Sequence, residues 1–552
     1  MPDLINIADI LALRAEQQGG QTAIRCPGRK GGNGFRRYDD TISYSALHER
    51  STAIAKGLQA YGIGQGVRAA VMLKPSIDFF LVMFALLKSG AVPVLIDPGI
   101  ARPALRQCLE EAQPKAFIGI PLAQLAKLVL GWAPGVRLKV TAGPLALFGG
   151  KTLKAIERMG RESRRGLPEI QRDDAAAILF TSGSTGVPKG VLYRHRHFTA
   201  QVQLLKQAFS VEPGGVSLPT FPPFALFDPA LGLTSVIPDM DPRRPGKADP
   251  EKLLHAINAF QVTQLFGSPA LMKVLADHGQ PMPSLRCAIS AGAPVPSGTV
   301  EKIRALCSPE AAFWTPYGAT ECLPVAVIEG AQLQLTRVGT DQGFGTCIGW
   351  PLPENTVRLI RISDDAIARW DAQWLVPDGE IGELTVAGPS VTDSYIGRDE
   401  ANRLAKIHEG LADGSERTVH RMGDLAWKDS QGRLWFCGRK SQRLQTLQGL
   451  LGTENVEPIF NLHPAVSRSA LVGLGERPLQ KPVVCIERNP ANDMNEQQLF
   501  ADLLAMARTH RHTQHIDTFL IHPGFPVDIR HNAKIGREQL AVWAAERLGS
   551  GA

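Results

Sequence analysis

The alternation of two hydrophobic patterns constrains the fold of this chain most strongly. Residues 44–62, YSALHERSTAIAKGLQAYG, carry apolar side chains at helical spacing and end on glycine. Residues 68–73 and 91–98 are instead short apolar runs that are typical of buried strands. The alternation continues to about residue 430. The strand–helix–strand order predicts an α/β fold with layered, largely parallel sheets.

The length of the chain predicts more than one structural unit. Its 552 residues exceed a single compact core, and roughly 100–200 residues per domain gives two to four units. A strand that we expect to end at Cys437 is followed by the polar, turn-like residues 438–441. We therefore predict an N-terminal domain over 1–437, a hinge at 438–442 and a small C-terminal domain over 443–552.

The composition is that of a globular protein with a mild positive charge. Hydrophobic residues make up 44% of the chain, and 60 basic against 53 acidic side chains give a net charge of +7. This excess fits an anionic ligand or a loose contact with a membrane and compels neither. We expect no nucleic-acid partner. The longest apolar run, residues 79–87, is about half as long as a membrane span, so no transmembrane segment is predicted.

The N-terminal stretch and the cysteines indicate a cytoplasmic protein. The sequence PDLINIADILALRAEQ has an early aspartate and no basic leader, so we expect no signal peptide. No Cys-x-x-Cys pair occurs, which favours reduced and mostly buried thiols. The eight cysteines are Cys26, Cys108, Cys287, Cys307, Cys322, Cys347, Cys437 and Cys485.

A basic segment spans residues 151–165, KTLKAIERMGRESRR, with six basic and two acidic side chains. A solvated helix face is the favoured interpretation. The alternative is a contact for lipid headgroups or for an acidic partner protein, so peripheral membrane contact stays open.

A loop rich in glycine and hydroxyl side chains follows the apolar run 175–180, which we predict to be a buried strand. Gly183 and Gly186 can adopt positive φ and turn backbone N–H groups inward, and Lys189 adds charge. Lys189 precedes a glycine, so the loop is not an ordinary P-loop, and we expect a helix-like segment after it. The pattern predicts a phosphate site. Its hydroxyl donors are Thr181, Ser182, Ser184 and Thr185.

Seven motifs in a fixed order give the chain a resemblance to the adenylate-forming superfamily of acyl-CoA synthetases, peptide-synthetase adenylation domains and firefly-type luciferases. They are LKSGAVPVLIDP (87–98), the loop at 179–191, SAGAPVP (290–296), YGATE (317–321), GELTVAGPSVTDSYIG (382–397), RMGDLAW (421–427) and GRK (438–440). The resemblance implies a large N-terminal domain of layered α/β subdomains plus a β-barrel-like subdomain, with a small, mobile α+β C-terminal domain. It also implies that a carboxylate attacks the α-phosphorus of ATP in the presence of Mg²⁺ and forms an acyl-adenylate.

Residue roles follow from the same resemblance. The loop from Thr181 to Lys189 would hold the β- and γ-phosphates, Thr320 would contact the α-phosphate, and Glu321 with Thr181 would bind Mg²⁺. Residues 291–293 and Tyr317 would flank the adenine, while Asp424 would bind the ribose with help from Arg439. The implied nucleotide site is formed by Thr181, Ser182, Gly183, Ser184, Thr185, Gly186, Lys189, Ala291, Gly292, Ala293, Tyr317, Gly318, Ala319, Thr320, Asp424 and Arg439.

The segment FPVDIRHNAKIGREQL (525–540) resembles the last motif of the superfamily, which carries a mobile catalytic lysine. This assigns Lys534 as the cation that bridges the substrate carboxylate and the α-phosphate, with Thr185 and Lys189 as further catalytic residues. The usual Ser-Gly before the lysine is replaced by Asn532-Ala533. An exposed surface lysine is the open alternative.

The acid pocket is predicted around residues 221–234, FPPFALFDPALGLT. Phe221, Phe224 and Phe227 indicate an apolar wall. Asp228 has two interpretations, because amino-acid-activating relatives use an aspartate there for the substrate ammonium, whereas Asp-Pro is also a turn sequence. The turn is favoured, and with it a hydrophobic acid over an amino acid.

Within the superfamily the chain most resembles the bacterial olefin β-lactone synthetases, through the segments FALFDPALG (224–232), FGTCIGWPLP (344–353) and LWFCGRKSQR (434–443). This implies a 2-alkyl-3-hydroxy fatty acid whose own 3-hydroxyl attacks the adenylate and closes a β-lactone. It also implies a complex with other enzymes of hydrocarbon biosynthesis. Ser441 and Gln448 depart from the usual pattern of the CoA-using members, which puts CoA use in doubt.

Three other functions stay open from the sequence. A long- or medium-chain fatty acyl-CoA ligase shares every ATP motif, an amino-acid adenylation enzyme is a weaker alternative, and a scaffold that has lost catalysis is the third. His510, His512 and His515 could bind zinc, but solvent-exposed histidines are favoured because no fourth ligand is evident. Residues 193–198 are predicted to start a helix, with His195 at a motif position.

Overall fold

The computed structural model describes residues 4–32, 34–97, 99–146, 148–181, 188–527 and 535–549. The helices are α1 Ile7–Gln18, α2 Tyr44–Tyr61, α3 Ile77–Ser89, α4 Arg102–Ala112, α5 Pro121–Val129, α6 Leu153–Glu162, α7 His195–Ala208, α8 Pro222–Ala225, α9 Phe227–Leu231, α10 Pro250–Phe260, α11 Pro269–His278, α12 Ser297–Leu306, α13 Gly330–Asp341, α14 Asp399–Ala405, α15 Thr453–Phe460, α16 Glu496–Arg508 and α17 Arg537–Gly549.

The strands complete the secondary structure. They are β1 Thr22–Cys26, β2 Asp40–Ser43, β3 Arg68–Met72, β4 Val92–Ile96, β5 Ala116–Gly119, β6 Leu138–Thr141, β7 Lys151–Thr152, β8 Ala175–Thr181, β9 Lys189–Arg194, β10 Val216–Pro219, β11 Thr234–Val236, β12 Gln264–Gly267, β13 Cys287–Ser290, β14 Ala312–Ala319, β15 Cys322–Glu329, β16 Thr346–Pro351, β17 Thr356–Ile360, β18 Gly382–Ala387, β19 Ser394–Tyr395, β20 Lys406–Gly410, β21 Glu416–Lys428, β22 Leu434–Arg439, β23 Leu444–Thr446, β24 Gly449–Leu451, β25 Val466–Leu474, β26 Lys481–Arg488 and β27 Phe519–Ile521.

The first sheet has the order β19-β9-β8-β4-β3-β5-β6-β7, and its strands from β8 to β7 are parallel. The helix predicted over 44–62 is present as α2. The Ser43 side chain caps its first turn, and Gly62 ends it at φ 98°, a left-handed conformation that glycine adopts without strain. The strands predicted over 68–73, 91–98 and 175–180 are present as β3, β4 and β8. The α/β fold is therefore confirmed.

The second sheet joins a parallel part to an antiparallel part. Its order is β17-β18-β21-β22-β16-β15-β14-β13-β12-β10-β11-β1-β2, and β20 pairs with β21. The strands from β11 to β14 are parallel, whereas those from β14 to β17 are antiparallel. The resemblance implies a barrel-like subdomain at this antiparallel part. Over the described strands, the antiparallel part is an open sheet with a linear strand order.

The C-terminal part of the chain has its own sheet, β25-β26-β27, and its own core. Strands and helices alternate less regularly here, and α15, α16 and α17 surround the sheet. One apolar cluster includes Val456, Phe460 and Leu503, and another joins Cys485 to Leu540. This α+β arrangement agrees with the small domain that the sequence predicts, while the boundary at 443 stays a prediction.

Several local predictions are wrong. The strand expected to end at Cys437 continues to Arg439, because its last residues pair with Leu425 and Asp424 on β21. The helix expected after the phosphate loop is present, but it is preceded by a strand that the sequence did not predict, β9, which pairs with β8 along its whole length. Residues Tyr193 and Arg194 accordingly belong to β9, and the helix α7 begins at His195.

Two further predictions agree with the structure. The apolar run 79–87 lies in α3, which is buried along nearly its whole length, and no helix in the described ranges is long and apolar enough to cross a membrane. The eight cysteines are free thiols, of which Cys287 and Cys307 are half-buried and the others buried.

Candidate active site

A large cavity of about 1170 Å³ opens between the carboxyl ends of the parallel strands and the antiparallel part of the second sheet. Motifs that lie far apart in the sequence meet on its wall, including Lys189, Tyr317, Glu321 and Arg439. The carboxyl ends of parallel strands are where α/β proteins commonly bind ligands. The structure therefore collects residues from both sheets into one site.

Asp424 is the centre of a polar group at one end of the cavity. The Tyr317 hydroxyl donates a hydrogen bond of 2.5 Å to Asp424 Oδ2, and Arg439 Nη1 lies 2.9 Å from Oδ1. Asp424 and Arg439 are direct register partners on β21 and β22, so the sheet itself sets this ion pair. Burial raises the pKa of Asp424 above its ordinary value although Arg439 opposes that rise. Each carboxylate oxygen of Asp424 therefore already contacts a donor from the described residues.

Glu321 lies in the turn between β14 and β15 and is held at its carboxylate. The Tyr395 hydroxyl donates a hydrogen bond of 2.6 Å to Glu321 Oε1. Burial alone would raise the pKa of Glu321, but His420, Tyr395 and Lys406 outweigh it, and the net shift is downward. Glu321 is therefore kept as an anion facing the cavity, which suits a hard cation.

Thr392 fixes the backbone of Glu321 from behind. Its N–H and its hydroxyl both donate to the Glu321 carbonyl oxygen, at 2.9 Å and 3.1 Å. Lys406 in turn donates a 2.5 Å hydrogen bond to the Thr392 carbonyl, and burial lowers the pKa of Lys406 to about 8 although nearby Glu321 opposes this. Sequence reasoning missed Thr392, Tyr395 and Lys406. Thr392 and Tyr395 lie within the motif at 382–397, whereas Lys406 lies outside all quoted motifs.

Lys189 and Tyr395 connect the end of the predicted phosphate loop to Glu321 and its neighbours. The strands β9 and β19 are neighbours, and the Lys189 ammonium lies 5.0 Å from the centre of the Tyr395 ring. Tyr193, also on β9, donates its hydroxyl to the Thr320 carbonyl. The β9 strand thus holds the YGATE turn beside the end of the phosphate loop.

The apolar part of the cavity contains the three predicted phenylalanines. Phe224 stacks on Phe266 with ring centres 4.3 Å apart and lies 5.7 Å from Phe221. Phe227 is buried and contacts Phe198 as well as Phe224. Aromatic pairs at these distances form a rigid wall, and such a wall fits a hydrocarbon chain.

Asp228 is neither an exposed turn residue nor paired with a cation among the described residues. It lies in α9, is 4% exposed and accepts a 2.7 Å hydrogen bond from the Ser235 hydroxyl. Burial raises the pKa of Asp228 to about 7, against the smaller effects of Ser235 and Ser217. The favoured turn interpretation is wrong, because the chain forms a helix here that ends at Gly232 with φ 83°.

The predicted site residues fall into those that the structure describes and those outside the described part of the chain. The segment from Ser182 to Val187, the side chain of Thr181, and Lys534 lie outside the part that is described, and with them Gly183, Ser184, Thr185 and Gly186. Of the others, Ala293 is not on the cavity wall, while Asp424 is buried behind Tyr317. The cavity wall includes Lys189, Ala291, Gly292, Tyr317, Gly318, Ala319, Thr320, Glu321 and Arg439.

The three histidines near the C-terminus are not brought together as one group of ligands in the described part of the chain. Over the described residues no group of three or more His, Cys, Asp or Glu side chains is placed to hold an ion. His512 is half-buried and contacts the Asn455 carbonyl at 2.7 Å, and of the three histidines His515 is the exposed one. The expectation of three exposed histidines is thus correct for His515 alone. His195 is fully buried at the start of α7.

The segment 438–442, which the sequence predicts to be a hinge, makes hydrogen bonds to the chain both before and after it. Lys440 donates to the Ser363 carbonyl at 2.7 Å and to Glu383 at 3.1 Å. On the other side, Arg477 donates to the carbonyls of Ser441 and Arg443. The carbonyl of Ser441 therefore already has a partner from the C-terminal part of the chain.

A family model described as AMP-binding enzyme matches residues 11–396 of this chain. The chain belongs to the AMP-binding enzyme family. Together with the synthetase relatives described next, this match makes the chain an AMP-forming ligase, which agrees with the motifs that meet at the cavity.

Two curated relatives of this AMP-binding enzyme are similar over nearly their whole length. It is 60% identical to the olefin beta-lactone synthetase of Xanthomonas campestris over 99% of both chains. It is 59% identical to the olefin beta-lactone synthetase of Stenotrophomonas maltophilia over 98% of both chains. At this identity and coverage, the chain also belongs to the family of these synthetases.

Solved structures share the fold of this AMP-binding enzyme at much lower identity. The amide bond synthetase of Marinactinospora thermotolerans matches with a TM-score of 0.75 and 20% identity, over 97% of this chain and 99% of that one. The O-succinylbenzoate coenzyme A synthetase of Bacillus subtilis, in complex with ATP and magnesium, matches with a TM-score of 0.72 and 19% identity, over 96% and 98%. These matches confirm the adenylate-forming fold.

Proposed function

We propose that the chain activates a hydrophobic 2-alkyl-3-hydroxy fatty acid with ATP and then closes it to a β-lactone, with AMP and diphosphate as the other products. The observation that carries this proposal is the 60% identity over 99% of the chain to an olefin beta-lactone synthetase. The geometry supports it independently, since one cavity joins an aromatic wall to the polar group around Asp424 and Glu321.

In the first step the substrate carboxylate attacks the α-phosphorus of ATP. A bond forms between a carboxylate oxygen and phosphorus, and the bond to the bridging oxygen breaks as diphosphate leaves. In-line transfer of this kind depends on positioning and on neutralised charge. Lys189 at the end of the loop and Lys534 would supply positive charge, and Thr185 and Thr320 would supply donors.

We assign the nucleoside part of ATP to the polar group around Asp424. Asp424 would accept hydrogen bonds from the ribose hydroxyls, and Arg439 would keep its carboxylate ionised and oriented. Tyr317 would lie against the adenine, next to Ala291 and Gly292. This assignment is supported by the 2.5 Å and 2.9 Å contacts that fix the orientation of the Asp424 carboxylate.

The oxygen ligands that Mg²⁺ requires are assigned to the same site. Glu321 would bind the ion together with the hydroxyl of Thr181, because Mg²⁺ prefers oxygen ligands. The ion supplies neutralisation of phosphate charge when it is bound. The ionised carboxylate of Glu321, held by Tyr395 at one oxygen, leaves its second oxygen for a cation.

In the second step the 3-hydroxyl of the bound acid attacks the acyl carbon. A carbon–oxygen bond forms within the substrate, the bond from the acyl carbon to the phosphate oxygen breaks, AMP leaves with the electron pair, and the hydroxyl proton passes to solvent. An internal nucleophile has a high effective concentration, so no second substrate is needed. The apolar wall at Phe221, Phe224 and Phe227 would hold the alkyl chains and keep the adenylate from hydrolysis.

The surroundings of the enzyme are part of the same proposal. We place it in the cytoplasm, in association with other enzymes of hydrocarbon biosynthesis, and divide it into the domains 1–437 and 443–552 joined by the hinge. These assignments rest on the sequence motifs and on the resemblance.

Product analysis tests the proposed function. The purified enzyme is incubated with Mg-ATP and racemic 2-alkyl-3-hydroxy acids, with and without CoA, and the products are identified by mass spectrometry. We expect a β-lactone and AMP in both reactions. An absolute requirement for CoA, with an acyl thioester as product, would instead identify a fatty acyl-CoA ligase. Absence of diphosphate exchange with every acid would identify a scaffold.

A further inference from the structure

The helix α5 presents an apolar face to solvent. Leu122, Leu125, Leu128 and Val129 recur on one side of this helix and are between 41% and 72% exposed, and Leu130 continues the face at 40%. Single exposed leucines are common on protein surfaces, but five such residues together on one short helix are not. We call these five residues the α5 face.

The orientation of α5 is fixed by a polar side chain on its inner side. Gln124 is 2% exposed and donates a 3.0 Å hydrogen bond from Nε2 to the Val140 carbonyl on β6. Ala123, which is half-buried, packs beside Trp132 against the core under α4. The helix therefore points its one amide inward and its leucines outward, which is the reverse of an ordinary surface helix.

The surroundings of the α5 face carry positive charge. Residues 112–156 contain six basic side chains and no acidic one. Lys127 lies in the last turn of α5, and Lys139 lies on β6, the strand whose Val140 carbonyl accepts the hydrogen bond from Gln124 of α5. The carboxylates of the preceding helix are neutralised, because Glu110 pairs with Arg106 at 2.8 Å and Glu111 with Arg398 at 2.7 Å.

We propose that the α5 face is a docking site for an anionic lipid surface. Leucines flanked by lysines are the pattern of helices that lie in the interface of a membrane, with the apolar face about 5–10 Å deep among the headgroups. Side chains that are up to 72% exposed stand out from the surface, which suits a deformable lipid layer better than a shaped protein groove. The basic surroundings complement phosphate headgroups. Under the proposed function, a docked enzyme would take its lipid-like acid from the layer in which that acid dissolves.

Sedimentation with vesicles tests this proposal with the full chain. The vesicles consist of phosphatidylcholine alone or with about one-third phosphatidylglycerol. We expect the protein to bind the anionic vesicles reversibly and to be released at about 0.5 M salt, where charge attraction is screened. Leu128→Gln with Val129→Gln should weaken this binding about tenfold. Lys127→Glu should weaken it as well.

A matched control is available on α13, where Leu335 and Val338 are exposed to the same degree, 72% and 64%, as Val129 and Leu128. Leu335→Gln with Val338→Gln should leave vesicle binding unchanged. All variants should keep the melting temperature and the rate of diphosphate exchange with a soluble acid, since α5 is outside the cavity wall.

Three results would overturn the lipid assignment. The first is no binding to anionic vesicles, and the second is equal loss of binding in the α5 and α13 variants. The third is a self-association of the pure protein that the α5 variant abolishes while vesicles fail to bind, which would make the face a contact between copies of this chain. A failure of lactone formation leaves these outcomes unaffected, because the binding assay needs no turnover.

Discussion

The hydroxyl of Tyr395 lies 2.6 Å from a carboxylate oxygen of Glu321 and joins two motifs that are 74 residues apart in the chain. The same tyrosine is itself held on both sides of its peptide, because Asn402 accepts from its N–H at 2.6 Å and donates to its carbonyl at 2.9 Å. Glu321 is thus held by a tyrosine whose backbone is itself fixed by two hydrogen bonds. We infer that Tyr395 is a positioning residue for the cation site.

Tyr395→Phe is expected to weaken the cation site while the fold persists. Phenylalanine keeps the aromatic ring near Lys189 and Lys406 but lacks the hydroxyl that donates to Glu321. The loss of a hydrogen bond to a charged group lowers affinity about tenfold. We expect the Mg²⁺ concentration for half-maximal diphosphate exchange to rise about tenfold. Mn²⁺ binding, measured by electron paramagnetic resonance without turnover, should weaken equally. Tyr61→Phe, outside the cavity wall, is the control, and an unchanged metal dependence in Tyr395→Phe would refute the positioning role.

Asp424→Asn should reduce the affinity for ATP and leave that for the acid nearly unchanged. The amide keeps the shape but loses the charge that pairs with Arg439, and an amide accepts hydrogen bonds from ribose hydroxyls less strongly than a carboxylate. We expect the KM for ATP in diphosphate exchange to rise about tenfold or more. An equal rise in both KM values would instead indicate a general distortion of the cavity.

Phe224→Ala should reduce the affinity for the acid and leave that for ATP nearly unchanged. The change removes the ring that stacks on Phe266 and with it a large part of the apolar wall. Burial of a side chain of this size away from water contributes about 1.5–3 kcal/mol of free energy. The KM for a hydrophobic acid should therefore rise about tenfold or more. The KM for ATP serves as the internal control and should stay within about twofold. Loss of ATP binding alone would place the acid elsewhere.

Asp228→Asn should stabilise the protein at alkaline pH relative to the native chain. The pKa of Asp228 is raised to about 7 in the fold from its ordinary value of 3.8, so the fold holds the proton more tightly than the unfolded chain does. The free energy of unfolding therefore falls as the pH rises from 3.8 to about 7. The amide of the variant cannot ionise and avoids this loss.

Melting temperatures of Asp228→Asn and of the native chain, measured at pH 5 and pH 8, check this prediction. The melting temperature of the variant, relative to that of the native chain, should be a few degrees higher at pH 8 than at pH 5. Tyr44 and Arg14 are the other titratable groups near α9, and both are retained in the comparison. The exposed Asp493→Asn should show no such gain. If the melting temperatures of Asp228→Asn and of the native chain differ by the same amount at pH 5 and at pH 8, the raised pKa of Asp228 is contradicted.

The sequence predicts the elements whose patterns are strictly local. Apolar spacing and a terminal glycine locate α2, and continuous apolar runs locate β3, β4 and β8. The motifs also identify Tyr317, Glu321 and Asp424 as neighbours, because their order matches the adenylate-forming superfamily. These features need no knowledge of which strands pair.

Pairing is the part that the sequence could not supply. β9 is short and lies between a glycine-rich loop and a helix, and its backbone is fixed by β8 on one side and β19 on the other. Lys406 has no motif around it, and only the pairing of β20 with β21 places it next to His420 and behind Thr392. The outward leucines of α5 were missed for a similar reason, since their spacing is also that of an ordinary buried face.

The most direct test of the account follows the oxygen atoms of the acid. A 2-alkyl-3-hydroxy acid labelled with ¹⁸O in both carboxylate oxygens is converted with Mg-ATP in the absence of CoA, and AMP and lactone are analysed by mass spectrometry. Adenylation followed by internal attack predicts AMP with one ¹⁸O and a lactone with one ¹⁸O, because the 3-hydroxyl supplies the ring oxygen. Unlabelled AMP, or labelled AMP with no lactone unless CoA is added, would contradict the proposed reaction.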